Sequence, residues 1–288
     1  MSKIFKCVIG NFNVNDAFSI TDLFDDEGVL SVSCVHKSKA WHVEILSEEK
    51  IDPSDLHQKL KEYDYSILEN KPLKAENWLE KCFENFQPIT VGGFYIYGPH
   101  LRKSHHPTDK MLIEIAAATA FGTGEHPTTN RCLMACEAFF DVDKHKKVLD
   151  IGCGSCILSI ALARLGATNV FACDNDPEAV RVSSENVVIN KVASRVKVFQ
   201  NKSCEFATKK YDFIVANILA EPLIFMGEDI VKSLDDDGIL VLSGFTSDDN
   251  SVEKRFTSLG LEIKYRYDYK GWTTLVLSKT GKLPAPVF

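Results

Sequence analysis

The chain lacks the features that would take it into a membrane or out of the cell. No run approaches the roughly 18 apolar residues that a membrane span needs, and residues 1–10 lack the charged-then-apolar layout of a secretory signal. Basic excess is missing too: 33 Lys and Arg stand against 40 Asp and Glu, a formal charge of −7. That balance excludes a protein that holds nucleic acid mainly by neutralising phosphates, and leaves a basic protein partner compatible. The 9 cysteines are odd in number and scattered through stretches that read as buried, so no disulfide framework is implied. Internal repeats and low-complexity tracts are absent. The expectation is a cytosolic protein with reduced thiols, a monomer with no membrane and no direct nucleic-acid contact.

What is present is enough for two cores. The 288 residues, 45% of them hydrophobic, exceed the usual single domain of about 100–200 residues, so one large and one smaller domain are expected. Residues 3–9, 29–35, 41–46 and 65–68 read as strands and 16–24 and 55–63 as helices, a βαββαβ order of the ferredoxin-like α+β kind. This makes 1–75 a small domain. In 76–86, Trp78, Leu79, Cys82, Phe83 and Phe86 recur at helical spacing, and 87–98 turns extended and aromatic-rich around Gly92-Gly93. Residues 76–110 are accordingly read as a linker helix and extended segment.

From 111 to 288 strands alternate with helices, the α/β pattern of a parallel sheet wrapped on both faces. The predicted strands are 147–151, 169–174, 195–200, 213–217, 238–243, 261–268 and 272–278. Only Tyr269, Lys270 and Gly271 separate the last two, so they should form an antiparallel hairpin. A mainly parallel sheet closed by a hairpin is unlike a dinucleotide dehydrogenase.

The segment VLDIGCGSCILSIALARLGA begins as a strand, turns at Gly152 and Gly154, and continues as a helix from about Ile157. Glycines let a ligand approach the backbone, and a helix N-terminus attracts a carboxylate or a phosphate equally well. The dinucleotide fingerprint G-x-G-x-x-G requires a third glycine where Ile157 stands, which weakens a pyrophosphate reading. Asp174 ends the next strand, where an acidic side chain accepts both hydroxyls of a ribose. Adenosine without a diphosphate fits best. Each residue also has a plainer use: Gly152 and Gly154 as an ordinary turn, Asp174 as a cap for the helix beginning at Pro177. Their order along the right elements favours the nucleoside.

Two cysteine readings compete with it. Cys153 and Cys156 spell C-x-x-C at a helix N-terminus, the place of a thioredoxin-like dithiol. Against this, the glycines and Asp174 would have no use in such a site. Cys132 and Cys136 with that pair would make a zinc set, but at i,i+4 they are better placed to build an apolar helix face. Asn217 ends the fourth strand at the sheet's carboxyl edge, where its amide oxygen would orient the N–H groups of a nucleophile; the plainer use is a cap for the helix near Glu221. His126 reads as a structural hydrogen-bonding group rather than a base, and Thr128 and Thr129 as capping residues.

The most specific string is AFGTGEHPTT, residues 120–129. It resembles the AFGTGxHxTT signature of the PrmA family, the ribosomal protein L11 methyltransferases. The glycine loop, ACDNDPEAV, VANILAEPLI, ILVLSGF and GWTTLVL follow in the family's order, so the resemblance covers about residues 76–278. It implies a Rossmann-like class I methyltransferase sheet, with S-adenosylmethionine as cofactor held by Thr129, Gly152, Gly154, Asp174 and Asn217. Phe121 and Thr123 would contact the cofactor as the 121–125 loop closes, and Asn217 would also be catalytic. It further implies ribosomal protein L11 as substrate, methylated on lysine and α-amino groups, with residues 1–75 recognising it. Alternatives are another protein's lysine, or a non-catalytic cofactor-binding protein. The chain departs from the family at Cys156, where a glycine is usual, and after Gly244, where Phe245 and residues 246–250 lack the usual continuation.

Overall fold

The computed structural model describes residues 4–21, 23–24, 28–37, 40–73, 87–116, 126–201 and 208–279. The chain divides into two compact units, Met1–Cys82 and Phe83–Phe288. The helix expected over 76–86 and the loop 121–125 fall outside the described residues.

In the first unit, β1 (Ile4–Phe12), α1 (Val14–Thr21), β2 (Val29–Lys37), β3 (Ala40–Ser47), α2 (Pro53–Lys59) and β4 (Ser66–Leu73) follow in the βαββαβ order. The strands form an antiparallel sheet in the order β2-β3-β1-β4. Period-two alternation sets its buried face: Val43 and Ile45 point inward with Cys7 and Ile9, against Ala17, Ile20, Leu56 and Leu60 of the helices. α2 starts where Asp52 accepts from the Ser54 amide at 2.8 Å and Pro53 supplies a ready-made helical φ.

The second unit opens with a small sheet, β5 (Ile89–Val91), β6 (Phe94–Tyr97) and β7 (Met111–Glu114), in that order. Gly92-Gly93 makes the β5–β6 turn, and both Glu137 carboxylate oxygens accept from the Gly93 amide at 3.0 Å. The rest of the unit runs α3 (Pro127–Phe139), β8 (Val148–Ile151), α4 (Ile157–Arg164), β9 (Val170–Asp174), α5 (Pro177–Ile189), β10 (Val196–Gln200) and β11 (Tyr211–Asn217). It continues with α6 (Ala220–Phe225), α7 (Gly227–Ser233), β12 (Leu234–Thr246), α8 (Ser251–Ser258), β13 (Glu262–Tyr269) and β14 (Trp272–Ser278).

These strands form one seven-stranded sheet, β10-β9-β8-β11-β12-β14-β13, parallel except for β14, which runs antiparallel to both neighbours. The expected terminal hairpin is there. Both faces are covered, which is why β8 is buried at every position. Val148, Phe213, Val215 and Val241 face Cys132, Leu133, Ile160 and Val187 of α3, α4 and α5. Leu149, Ile214, Leu240 and Leu242 face Leu223, Ile230 and Phe256 of α6, α7 and α8. No helix among the described residues is long and apolar enough to cross a membrane.

The sheet grows outward in both directions from β8 and β11. Where the winding reverses, the carboxyl ends of adjacent strands part and leave a crevice.

Candidate functional site

β8 runs into the glycine loop at this crevice. Gly152 has φ +70, and a Cβ there would lie 2.2 Å from Ile218 Cγ2. Gly154 (φ +53) and Cys156 (φ +66) share the left-handed region. For Cys156, the N-cap of α4, that backbone costs about 1–2 kcal/mol, which a glycine would avoid. Cys156 offers α4 no side-chain cap. Asp150, buried in β8, supplies one from the sheet by accepting from Ser159 N at 3.1 Å and Ser159 Oγ at 2.6 Å. Burial pushes its carboxyl up to about 7, against those hydrogen bonds, which lower it. Sequence reasoning passed over Asp150, although an acid inside an otherwise apolar strand was a readable signal.

Asp174 closes β9 and holds the loop from the other side. Its Oδ2 accepts from Gly154 N at 3.0 Å and its Oδ1 from Asp176 N at 3.1 Å. The cap of α5 is Asp176, which accepts from Glu178 N at 2.9 Å, so capping does not account for Asp174. Asn217 does not cap a helix either, since the N-cap of α6 is Leu219. Its Nδ2 donates to Thr129 Oγ1 at 3.3 Å, while its Oδ1 is buried with no hydrogen-bond partner. A buried acceptor left unmade costs about 1–3 kcal/mol, and such groups collect where a ligand is to supply the donor.

His126 begins α3 as its N-cap, with Nδ1 accepting from Thr128 N at 3.4 Å and lying 2.7 Å from Thr128 Oγ1. The structural role expected for this histidine is the one it has, and burial lowers its pKa, favouring the neutral ring. The cap is His126, so Thr129, fully buried in the first turn, is left to face Asn217.

Thr129, Gly152, Gly154, Asp174 and Asn217 all line one cavity of about 840 Å³, within the range of cofactor sites. Phe121 and Thr123 lie outside the described residues. The cavity also takes in residues that sequence reasoning had not singled out, including Ile218, Asn201, Phe225 and Trp272. The Trp272 ring meets the His126 ring edge-on at 4.7 Å. Aliphatic residues such as Ile218 carry no chemical signal in a sequence. Their part is set by which backbone they approach.

The cysteine alternatives fail on burial. Cys153 and Cys156 are free and buried. A hydrogen bond that the Cys153 S–H donates to Cys156, together with burial, holds the Cys153 thiol well above its ordinary value, the opposite of the lowered pKa a dithiol oxidoreductase needs. Cys132 and Cys136 belong to the core between α3 and the sheet, where burial pushes both thiols up. Among the described residues no group of side chains is arranged to hold a metal ion.

A glycine cradle after the first strand, an acid closing the second and an orphaned acceptor closing the fourth fit a nucleoside carrying a small charged group. With a seven-stranded sheet whose last-but-one position is antiparallel, they define a class I S-adenosylmethionine-dependent methyltransferase. The chain belongs to the ribosomal protein L11 methyltransferase (PrmA) family, whose model matches residues 14–280. It is 32% identical over 242 residues to the ribosomal protein L11 methyltransferase of Caulobacter sp. (strain K31), covering 83% of each chain. To that of Brucella abortus (strain S19) it is 31% identical over 271 residues, 90% of this chain and 88% of the other. Its fold is similar to the crystal structure of ribosomal protein L11 methylase from Lactobacillus delbrueckii subsp. bulgaricus. That match has a TM-score of 0.60 at 27% identity and covers 68% of this chain and 100% of the other.

Proposed function

We propose that this chain methylates lysine side chains, and the α-amino group, of ribosomal protein L11, acting as a cytoplasmic monomer that needs no nucleic acid. Bound in the cavity, S-adenosylmethionine supplies a sulfonium methyl open to in-line attack. Asp174 accepts hydrogen bonds from the ribose hydroxyls, Gly152 and Gly154 admit the ligand close to the backbone, and Thr129 meets its amino-acid end. Phe121 and Thr123 complete these contacts. Residues 1–75 recognise the substrate protein, and the second unit carries the chemistry.

The observation that carries the reading is the buried, unpartnered Oδ1 of Asn217. An amine of pKa near 10.4 is mostly protonated at neutral pH, yet only its neutral form has a lone pair to give. Asn217 lines the cavity, and its amide oxygen, by taking one N–H of the amine, directs that lone pair at the methyl group. An amide oxygen suits this better than a carboxylate, whose charge would favour the ammonium. The net acidic chain also suits a basic target.

Incubation with labelled S-adenosylmethionine and purified ribosomal protein L11 should place label on the protein; an unlabelled substrate overturns the assignment. Asp174→Ala should weaken S-adenosylmethionine binding by about 10- to 100-fold, the loss of hydrogen bonds to a charged acceptor worth about 1.5–3 kcal/mol. Titration calorimetry measures this directly, and an affinity within threefold of wild type would remove Asp174 from the site.

A further inference from the structure

The buried side of α5 carries polar groups that the chemistry above leaves unused. Ser183 and Asn186 are fully buried, and Asn190 at the helix C-cap is 3% exposed. Their spacing of three and then four residues puts them on one helix face, and that face points at the glycine loop. Ser183 Oγ donates to Gly154 O at 2.7 Å, and Asn186 Nδ2 donates to Ser155 O at 2.9 Å. The preceding carbonyl, Cys153 O, accepts from Cys156 N at 2.7 Å. Three successive carbonyls of the loop are thus held, two of them by α5, in the stretch where Gly154 and Cys156 have positive φ.

The same face holds a second segment. Asn186 Oδ1 accepts from Ala116 N at 2.9 Å, so one amide group ties Ser155 to Ala116. One turn on, Asn190 Oδ1 accepts from Glu114 N at 3.0 Å and its Nδ2 donates to Glu114 O at 2.6 Å, as a neighbouring strand would along the edge of β7. Position 186 requires one donor and one acceptor side by side, which a planar amide provides and a carboxylate does not.

We propose that Ser183 and Asn186 are positioning residues for the cofactor: they fix the peptide planes of the glycine loop and lock it to residue 116, so that the cradle is preformed before S-adenosylmethionine arrives. This rests on the reading of the cavity as a S-adenosylmethionine site. A preformed loop has no ordering cost at the moment of binding, so loosening it should appear in cofactor affinity. Capture of the protein substrate and the rate once both ligands are bound should hardly change.

The test uses the full chain and three variants. Asn186→Asp keeps the acceptor for Ala116 N but removes the donor to Ser155 O; Ser183→Ala removes the bond to Gly154 O. Val187→Ala, at a buried apolar neighbour on the same helix, destabilises without removing a hydrogen bond to the loop. The dissociation constant for S-adenosylmethionine should rise about 10- to 50-fold in Asn186→Asp and about three- to tenfold in Ser183→Ala. KM for ribosomal protein L11, and kcat at saturating cofactor, should stay within threefold. Val187→Ala should lower Tm with cofactor affinity unchanged. The proposal is overturned if the first two variants lose Tm but keep cofactor affinity within twofold, or if Val187→Ala weakens affinity as much as they do. Should Asn186→Asp fail to fold, Ser183→Ala decides alone. A wild-type chain that binds no S-adenosylmethionine overturns the functional reading and this inference together, whereas normal wild-type binding with unaffected variants overturns this inference only.

Discussion

Asn217→Ala is expected to lower kcat for methyl transfer about 100-fold while S-adenosylmethionine affinity stays within a few-fold. The magnitude is that of a reacting group held about 1 Å out of line. Without the Oδ1 acceptor the amine still enters the cavity but is free to rotate, and productive alignment becomes a rare event. The same substitution has an unusual expected sign for stability. Asn217 Oδ1 is buried without a partner, so its removal relieves a cost, and only the 3.3 Å bond to Thr129 Oγ1 is lost. Tm should therefore stay level or rise. A structural asparagine would behave the other way, with a fall in Tm and a proportionate fall in active protein. Single-turnover kinetics at saturating cofactor, with thermal unfolding of the same sample, separate the two. A kcat within fivefold of wild type would show that Asn217 does not align the nucleophile.

The large sheet was readable because its central strands obey a simple rule. A strand covered on both faces is a short continuous apolar run, and here each central run ends in a glycine, an acid or an amide that marks the carboxyl edge. Val148–Ile151, Val170–Asp174 and Val196–Gln200 therefore fall within a residue of expectation. β12 does not: it starts at Leu234, four residues before the expected Gly238. Asp235, Asp236 and Asp237 give no strand signal, yet Leu234 pairs with Tyr211 across a register shift, so tertiary pairing outweighs local preference. The β6–β7 pairing was equally hidden, since nothing in Met111–Glu114 names its parallel partner.

The site was legible in proportion to how far each role depends on chemistry at a strand end. Asp174 and Asn217 could be named because an acid and an amide at those two places have few other uses. Asp150 was missed because its carboxylate serves α4 from inside a strand. Ser183, Asn186 and Asn190 were missed for a different reason. Polar residues on one helix face read as a solvated face, and only the fold shows that this face is buried against loop carbonyls. Cys156 was recognised as a departure, but its left-handed backbone, the cost of the departure, is a property of the loop and not of the letter.

Gly244→Ala should destabilise the large unit by roughly 3 kcal/mol or more, because two independent penalties coincide. Gly244 has φ +105, which an L side chain rarely adopts. The added Cβ would also lie 2.1 Å from Ile218 O, 2.6 Å from Ile218 C and 2.9 Å from Ile218 N. These are backbone atoms, and Ile218 N is itself bonded to Ser243 O at 3.1 Å, so no side-chain rotation makes room. At roughly 2–4 °C per kcal/mol for a unit of this size, Tm should fall by about 6–12 °C. Gly152→Ala is the instructive contrast, since its Cβ would meet the Ile218 side chain at 2.2 Å and not the main chain. Combining each substitution with Ile218→Ala tests the distinction. Truncation of Ile218 should recover part of the Tm lost in Gly152→Ala by removing the clash, leaving the cost of its φ of +70. It should leave Gly244→Ala unrescued, because the obstructing atoms remain. Equal rescue of both, or a Tm for Gly244→Ala within 2 °C of wild type, would mean that the β11 exit yields at Ile218 and that Gly244 is not what fixes the chain beside Asn217.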